Sequence, residues 1–392
     1  MKEKTYQAIN QRIESGEALV LTAEEMFDYV DKHGEDHAYE TVDVVTTGTF
    51  GAMCSSGAFL NFGHSDPPIR MGRVWLNDVL AYAGIAAVDV YIGATEVSET
   101  QGLTYGGAHV IEDLLRGKPI HLRATGPGTD CYPSRGVDTY VTLSDLNQAY
   151  MFNPRNAYQN YSVAINSSNE TIHTYMGTLL PRFSNATYSS AGQLSPLLND
   201  PYYETIGVGT RIFLGGGVGY VAWEGTQHNP SVDRNEHGIP TANAGTIAVI
   251  GDLKSMDAKY VRAASIQNYG TSLYVGIGVP IPIVSRDLVR RTAIRDRDII
   301  APVLDYSIGQ RSRPTLAKVS YEELRSGQIT LDNGKMVATA PLSSYQRARE
   351  IAEELKQWIA AGDFQITSPV HPLPDNKGVR PLTIRKEGAA IV

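Results

Sequence analysis

Two cysteines, Cys54 and Cys131, are the only thiols in 392 residues. Cys131 lies in the run Gly126-Pro127-Gly128-Thr129-Asp130-Cys131-Tyr132-Pro133. Gly126 and Gly128 let the backbone come close to a ligand, and the turn from Gly126 to Thr129 can aim N–H groups at developing negative charge. Arg123 and Arg135 flank the thiol, and His121 lies ten residues before it. Nearby cations and oriented amides lower a thiol pKa and give thiolate, the reactive species. Free cysteine is also a common buried packing residue. From its loop alone, Cys131 reads equally well as nucleophile or as packing. Cys54, in Gly51-Ala52-Met53-Cys54-Ser55-Ser56-Gly57, has no base beside it in sequence and leans toward packing. His64 and Asp66 follow it closely enough to become spatial neighbours, and the pattern is not a Gly-x-Ser-x-Gly nucleophile elbow. Two thiols cannot build a disulfide framework, a Cys-only zinc site or an ordinary iron–sulfur cluster.

Other chemistry-bearing patterns are weaker. Gly215-Gly216-Gly217-Val218-Gly219 lacks the spacing and the following helix of a dinucleotide site, and no P-loop Lys-Ser/Thr follows. Close backbone approach at a turn is the simpler role. The nine histidines show no helical metal-ligand pair, because Gly34 separates His33 from His37. No metal site is expected. Arg286, Arg290, Arg291, Arg295 and Arg297 alternate with Asp287, Asp296 and Asp298, as on a solvated helix face. The net charge of −8 argues against nucleic-acid and anionic-membrane partners. The stretch 79–94 is interrupted by Asp89 and falls short of the ~20 apolar residues of a membrane-spanning helix. The polar N-terminus carries no secretory signal, so a soluble, cytoplasmic protein is expected.

The elements that must position these residues read as mixed α/β. Helices are expected over 5–15 and 22–34, the second opened by a capping box at Thr22 and Glu25. A strand over 42–46 feeds the small-residue loop of Cys54. A helix over 107–116 precedes strands over 119–125 and 137–143, which place Cys131 in the turn between two strands. Short echoes suggest an internal duplication, with half-repeats 39–165 and 203–277 and the Cys131 segment as an insertion in the first. Helices are expected over 287–300, 320–326 and 344–361, the last with Ile351, Leu355, Trp358 and Ile359 at helical spacing. The expected organisation is a catalytic core over 1–284 and a mostly helical subdomain with an extended tail over 285–392.

Both cysteine runs resemble those of the homocysteine-biosynthesis family. So do Asn61-Phe62-Gly63-His64-Ser65-Asp66-Pro67-Pro68, Asn153-Pro154-Arg155-Asn156-Ala157-Tyr158-Gln159-Asn160-Tyr161 and Gly276-Ile277-Gly278-Val279-Pro280-Ile281-Pro282. The likeness extends to about residue 370. It implies insertion of sulfide-derived sulfur into L-aspartate semialdehyde to form L-homocysteine. It also implies a cysteine persulfide on Cys131, with Cys54 as a second essential thiol. The chain carries no recognisable flavin or nicotinamide site. Aldehyde reduction therefore calls for an external electron donor, and the resemblance implies a small ferredoxin-like protein with a NIL-type domain. His64 and His121 are the candidates for moving protons. Arg70, Arg73, Arg123, Arg135 and Arg155 are the candidates for the substrate carboxylate, with those beside the cysteines preferred. Two other readings stay open: a cysteine-nucleophile acyl or amide transferase, and a persulfide carrier without catalysis. A homo-oligomer is compatible with all three.

Overall fold

Local signals set the N-terminal elements. Thr5 caps helix Tyr6–Glu14 by accepting from the Ala8 amide. Thr22 and Glu25 close the capping box on helix Ala23–His33. Gly34, at φ 81°, then turns the chain into helix Glu35–Thr41, which the sequence pattern does not mark. The computed structural model describes residues 4–375 and 378–384; the end of the expected tail, 385–392, lies outside them.

A nine-stranded antiparallel sheet forms the centre of the molecule. Its order runs Val261–Ile266, Gly270–Gly278, Arg211–Leu214, Gly217–Glu224, Ile247–Asp252, Gln148–Asn156, Gly57–Asn61, Asp89–Gly93, and Thr49–Ala52 pairs with Gly270–Gly278. The glycine run at 215–219 makes the tight turn between Arg211–Leu214 and Gly217–Glu224, with Gly215 and Gly216 at positive φ. Helix Tyr345–Ala360 lies on this sheet and buries Ala348, Ile351, Ala352, Leu355 and Ile359. Glycine makes the approach close. A Cβ on Gly48 would stand 2.1 Å from the Ala348 carbonyl oxygen, and one on Gly276 or Gly278 would press on Ile351.

Two six-stranded sheets flank the centre. One carries the expected hairpin, Ile120–Thr125 paired with Gly136–Val141, backed by helix Gly107–Leu115. The other departs from the mostly helical subdomain expected after 285. Val163–Ile165 pairs in parallel with Ile300–Asp305, and Asn185–Tyr188 pairs in parallel with Met336–Pro341. Thr315–Ser320 and Gln328–Thr330 complete it at the edges. The helix expected over 287–300 stops at Thr292, and its charged residues give way to Ala301 and Val303, which are buried two apart as a strand requires. The later helices fall where expected, at Tyr321–Arg325 and Tyr345–Ala360.

The stretch 39–165 includes helix Gly107–Leu115, whereas 203–277 consists of strands and one 3-10 turn. They share a left-handed asparagine, Asn160 at φ 48° and Asn268 at φ 52°. Among the described residues, no helix is long and apolar enough to cross a membrane.

Candidate active site

Cys54 sits in the turn joining Thr49–Ala52 to Gly57–Asn61. Both strands lie inside the nine-stranded sheet, so the turn is held at each end. The Met53 amide donates to the Leu273 carbonyl (2.7 Å), and the Ser56 amide donates back to Met53 (2.9 Å). Cys54 Sγ lies 3.2 Å from Ser272 Oγ, and the thiol is partly exposed. It opens into a cavity of about 370 Å³ where the nine-stranded sheet meets the sheet built on 163–188 and 300–341.

Arg155 lines the same cavity. A register shift between Asn153 and Asn156 bulges strand Gln148–Asn156 and re-aims its side chains. Asn153 fixes this bulge to the Cys54 turn. Its amide is fully buried; Nδ2 donates to Ser56 Oγ (2.8 Å), and Oδ1 accepts from the Arg155 amide (2.9 Å). The Ser55 hydroxyl lies 2.9 Å from Asn153 Oδ1 and 3.0 Å from the Arg155 carbonyl. Among the described residues, Arg155 has no ion-pair partner, and its guanidinium carbon is 6.0 Å from the centre of the Tyr158 ring.

The remaining wall is aromatic and hydroxylic. Tyr158 and Tyr161 meet edge to face at 4.8 Å. Tyr175, from the hairpin Ile172–Thr174 and Gly177–Leu179, stands 6.3 Å from Tyr269. Burial pushes the Tyr158 hydroxyl up to about 12; the Arg155 charge opposes this, and Tyr175 and Cys54 add to it. Tyr269 and Tyr274 are raised too, by burial first and then by Cys54. Near neutral pH these hydroxyls remain hydrogen-bond donors.

Cys131 is exposed in the loop between Ile120–Thr125 and Gly136–Val141 and does not line this cavity. Its loop is internally bonded: Gly126 N donates to Arg135 O (3.0 Å), and Thr129 and Tyr132 exchange backbone bonds. The N–H groups of Gly126, Thr129 and Tyr132 are therefore used within the loop. Gly128, at φ 69°, packs under the Arg135 side chain, and Gly126 packs against the Arg70 carbonyl. His64 stacks on Tyr132 at 5.7 Å. The structure thus groups His64, Arg70 and Arg135 around the Cys131 loop. It places His121 against Asp138 (2.7 Å) and Arg123 between Asp78 (3.5 Å) and the Trp75 ring (4.4 Å). Arg73 also covers Trp75. None of these residues reaches the Cys54 cavity.

Sequence reasoning missed the tyrosines and Asn153. The run from Asn153 to Tyr161 holds Asn153, Arg155, Tyr158 and Tyr161 within nine residues, and that density was the available signal.

A family model described as "Homocysteine biosynthesis enzyme, sulfur-incorporation" matches residues 18–366. The chain is 54% identical over 373 residues to a Methanosarcina acetivorans protein named L-aspartate semialdehyde sulfurtransferase, covering 95% of this chain and 72% of that one. A Methanocaldococcus jannaschii protein of the same name is 53% identical, with 98% and 76% covered. An uncharacterized protein of Methanothermobacter thermautotrophicus is 30% identical, with 82% and 72% covered. No solved structure matches.

Proposed function

The chain belongs to the homocysteine-biosynthesis, sulfur-incorporation family, and from that membership we propose that it inserts sulfide-derived sulfur into L-aspartate semialdehyde to form L-homocysteine. The observation that carries this reading is the pairing of one thiol, Cys54, with one uncommitted guanidinium, Arg155, in a single cavity. A forked cation suits the carboxylate end of such a substrate. A thiol suits sulfur transfer at its aldehyde end.

The reaction balances as aldehyde plus hydrogen sulfide, two electrons and two protons, giving thiol and water. The aldehyde reacts in the Cys54 cavity, where attack of persulfide sulfur on the carbonyl carbon leaves an oxyanion. The Tyr158 hydroxyl, which lines the cavity and stays protonated, is the donor assigned to it in this proposal. Loss of that oxygen as water and delivery of two electrons leave the sulfur bound to a methylene carbon. A thiol then attacks the cysteine sulfur of the sulfur–sulfur bond, releasing the product thiol and leaving a disulfide between the two cysteines. Sulfide opens that disulfide and renews the persulfide, so the cycle consumes only the two electrons delivered to carbon. Cys131, exposed on its hairpin loop, is the thiol that sulfide reaches; it bears the persulfide first and passes the outer sulfur to the Cys54 thiolate, whose persulfide attacks the aldehyde. The electrons come from outside the chain, from a donor of the ferredoxin-like class.

Intact mass of the disulfide-oxidised protein after sulfide treatment, followed by product analysis with L-aspartate semialdehyde, sulfide and a low-potential reductant, tests the proposal. Wild type forms homocysteine. Folded Cys54→Ser falls below about one per cent of that rate, because a hydroxyl is a far weaker nucleophile and holds no persulfide. Homocysteine formation by a folded Cys54→Ser protein at near wild-type rate would sink the cavity assignment.

A further inference from the structure

The Cys54 cavity has an unbalanced charge inventory. Its described lining residues include one guanidinium, Arg155, and no aspartate or glutamate. The substrate class proposed above is an α-amino acid zwitterion, with both a carboxylate and an ammonium group. Arg155 answers the first. No side-chain anion except a Cys54 thiolate stands ready for the second, and that sulfur is needed at the other end of the molecule. A desolvated ammonium left unpaired is costly.

The cavity offers a different acceptor. Four tyrosines line it, and Tyr158 already faces Arg155. Tyr175 and Tyr269 both line the cavity, their ring centres 6.3 Å apart and the planes inclined at 64°, edge to face rather than stacked; we call this pair the corner. The corner is braced from both sides. Tyr175 Oη lies 3.2 Å from Tyr306 Oη, and Asn268 Nδ2 lies 3.2 Å from His173 Nε2, tying the hairpin that carries Tyr175 to the turn that carries Tyr269. A tyrosine face attracts an ammonium within about 6 Å of the ring centre, most strongly where water is excluded.

Resting on the sulfurtransferase reading of this cavity, we propose that the Tyr175–Tyr269 corner binds the substrate ammonium while Arg155 holds its carboxylate. The pair makes the site specific for 2-amino acid aldehydes. Tyr269 is a specificity-determining residue, not a participant in bond making.

The test compares two aldehydes as substrates with sulfide and reductant: L-aspartate semialdehyde, and 4-oxobutanoate, which lacks only the amino group. Wild type favours the amino acid by about 10-fold or more in kcat/KM. Tyr269→Phe keeps the ring face and the preference. Tyr269→Leu removes the face and brings the ratio toward one, while Arg155→Met lowers kcat/KM for both aldehydes alike. Competitive inhibition of wild type by L-2-aminobutyrate against butyrate reads the same preference without any variant. Equal use of both aldehydes by wild type, or an unchanged ratio in Tyr269→Leu, overturns the ammonium corner and leaves the sulfur chemistry standing. Failure of wild type to convert either aldehyde overturns the sulfurtransferase reading and the corner with it.

Discussion

Asn153 holds the thiol and the cation of the site in one frame. It bonds to Ser56 beyond the cysteine and to the Arg155 amide, and it is sealed from solvent. Asn153→Leu removes both of these bonds and the one accepted from Ser55, and leaves the Ser56 hydroxyl without that partner. Such a loss costs about 1–3 kcal/mol. The expected kinetic signature is a KM for the aldehyde acid that rises more than kcat falls, because Arg155 drifts while Cys54 keeps its own turn. Steady-state kinetics on the folded variant check this; an unchanged KM would show that the bulge holds Arg155 without the amide. The site was partly legible in the chain. Both cysteines drew attention by their rarity, and Arg155 stood among five candidate arginines. Their ranking was not legible. Arg123 is committed to Trp75 and Asp78, and His121 to Asp138, through cross-strand register and packing that no local pattern reveals. The bond from Asn153 to Ser56 spans 97 positions of sequence.

At the scale of elements, small residues set how near helix Tyr345–Ala360 comes to the strand that leads into Cys54. The Thr46 hydroxyl donates to the Ala352 carbonyl of this helix (2.8 Å), and Gly48 lies against the Ala348 carbonyl. Neither contact leaves room for a methyl group. Gly48→Ala puts a Cβ against backbone, where no rotamer change can relieve it, and is expected to cost about 3 kcal/mol, the upper part of the usual overpacking range. Gly117→Ala is the control: it sits at φ 69° with nothing within 4 Å, so only conformational strain applies, about 1 kcal/mol. Urea unfolding midpoints compare the two, and equal losses would refute the close-packing argument. The helices at both ends were legible because capping residues and 3.6-residue periodicity are local signals. The parallel strands after residue 299 were not. Their partners lie more than 100 residues earlier, and the charged stretch before them carries its own short helix, Arg286–Thr292.

At the scale of the whole molecule, the stretch after 284 completes cores begun by the stretch before it. Ala301, Val303, Ala317, Val319, Tyr321, Leu324, Ile329 and Val337 share one buried cluster with Val163, Ile165, Ala186 and Tyr188. Ile351, Leu355, Ile359, Phe364 and Ile366 share another with Ile9, Ile13, Val44 and Phe213. The boundary read near 285 from the change in sequence character therefore does not mark a surface along which the chain divides. Magnitudes decide what cutting there would do. Each fully buried large apolar side chain contributes roughly 1.5–3 kcal/mol, while a domain's net stability is only about 5–15 kcal/mol. Removing even the five residues of the second cluster spends that margin. Truncation would also strip both parallel partners from Val163–Ile165 and Asn185–Tyr188, leaving unpaired strand edges that invite aggregation. The Cys54 cavity would lose Leu342 and Ser343 from its wall as well. A chain ending at residue 284 is therefore expected to be insoluble or to unfold without a cooperative transition, whereas the full chain melts cooperatively. Circular dichroism and analytical gel filtration on the two proteins make the comparison. A soluble, cooperatively melting 1–284 protein would show that the first part holds its fold unaided.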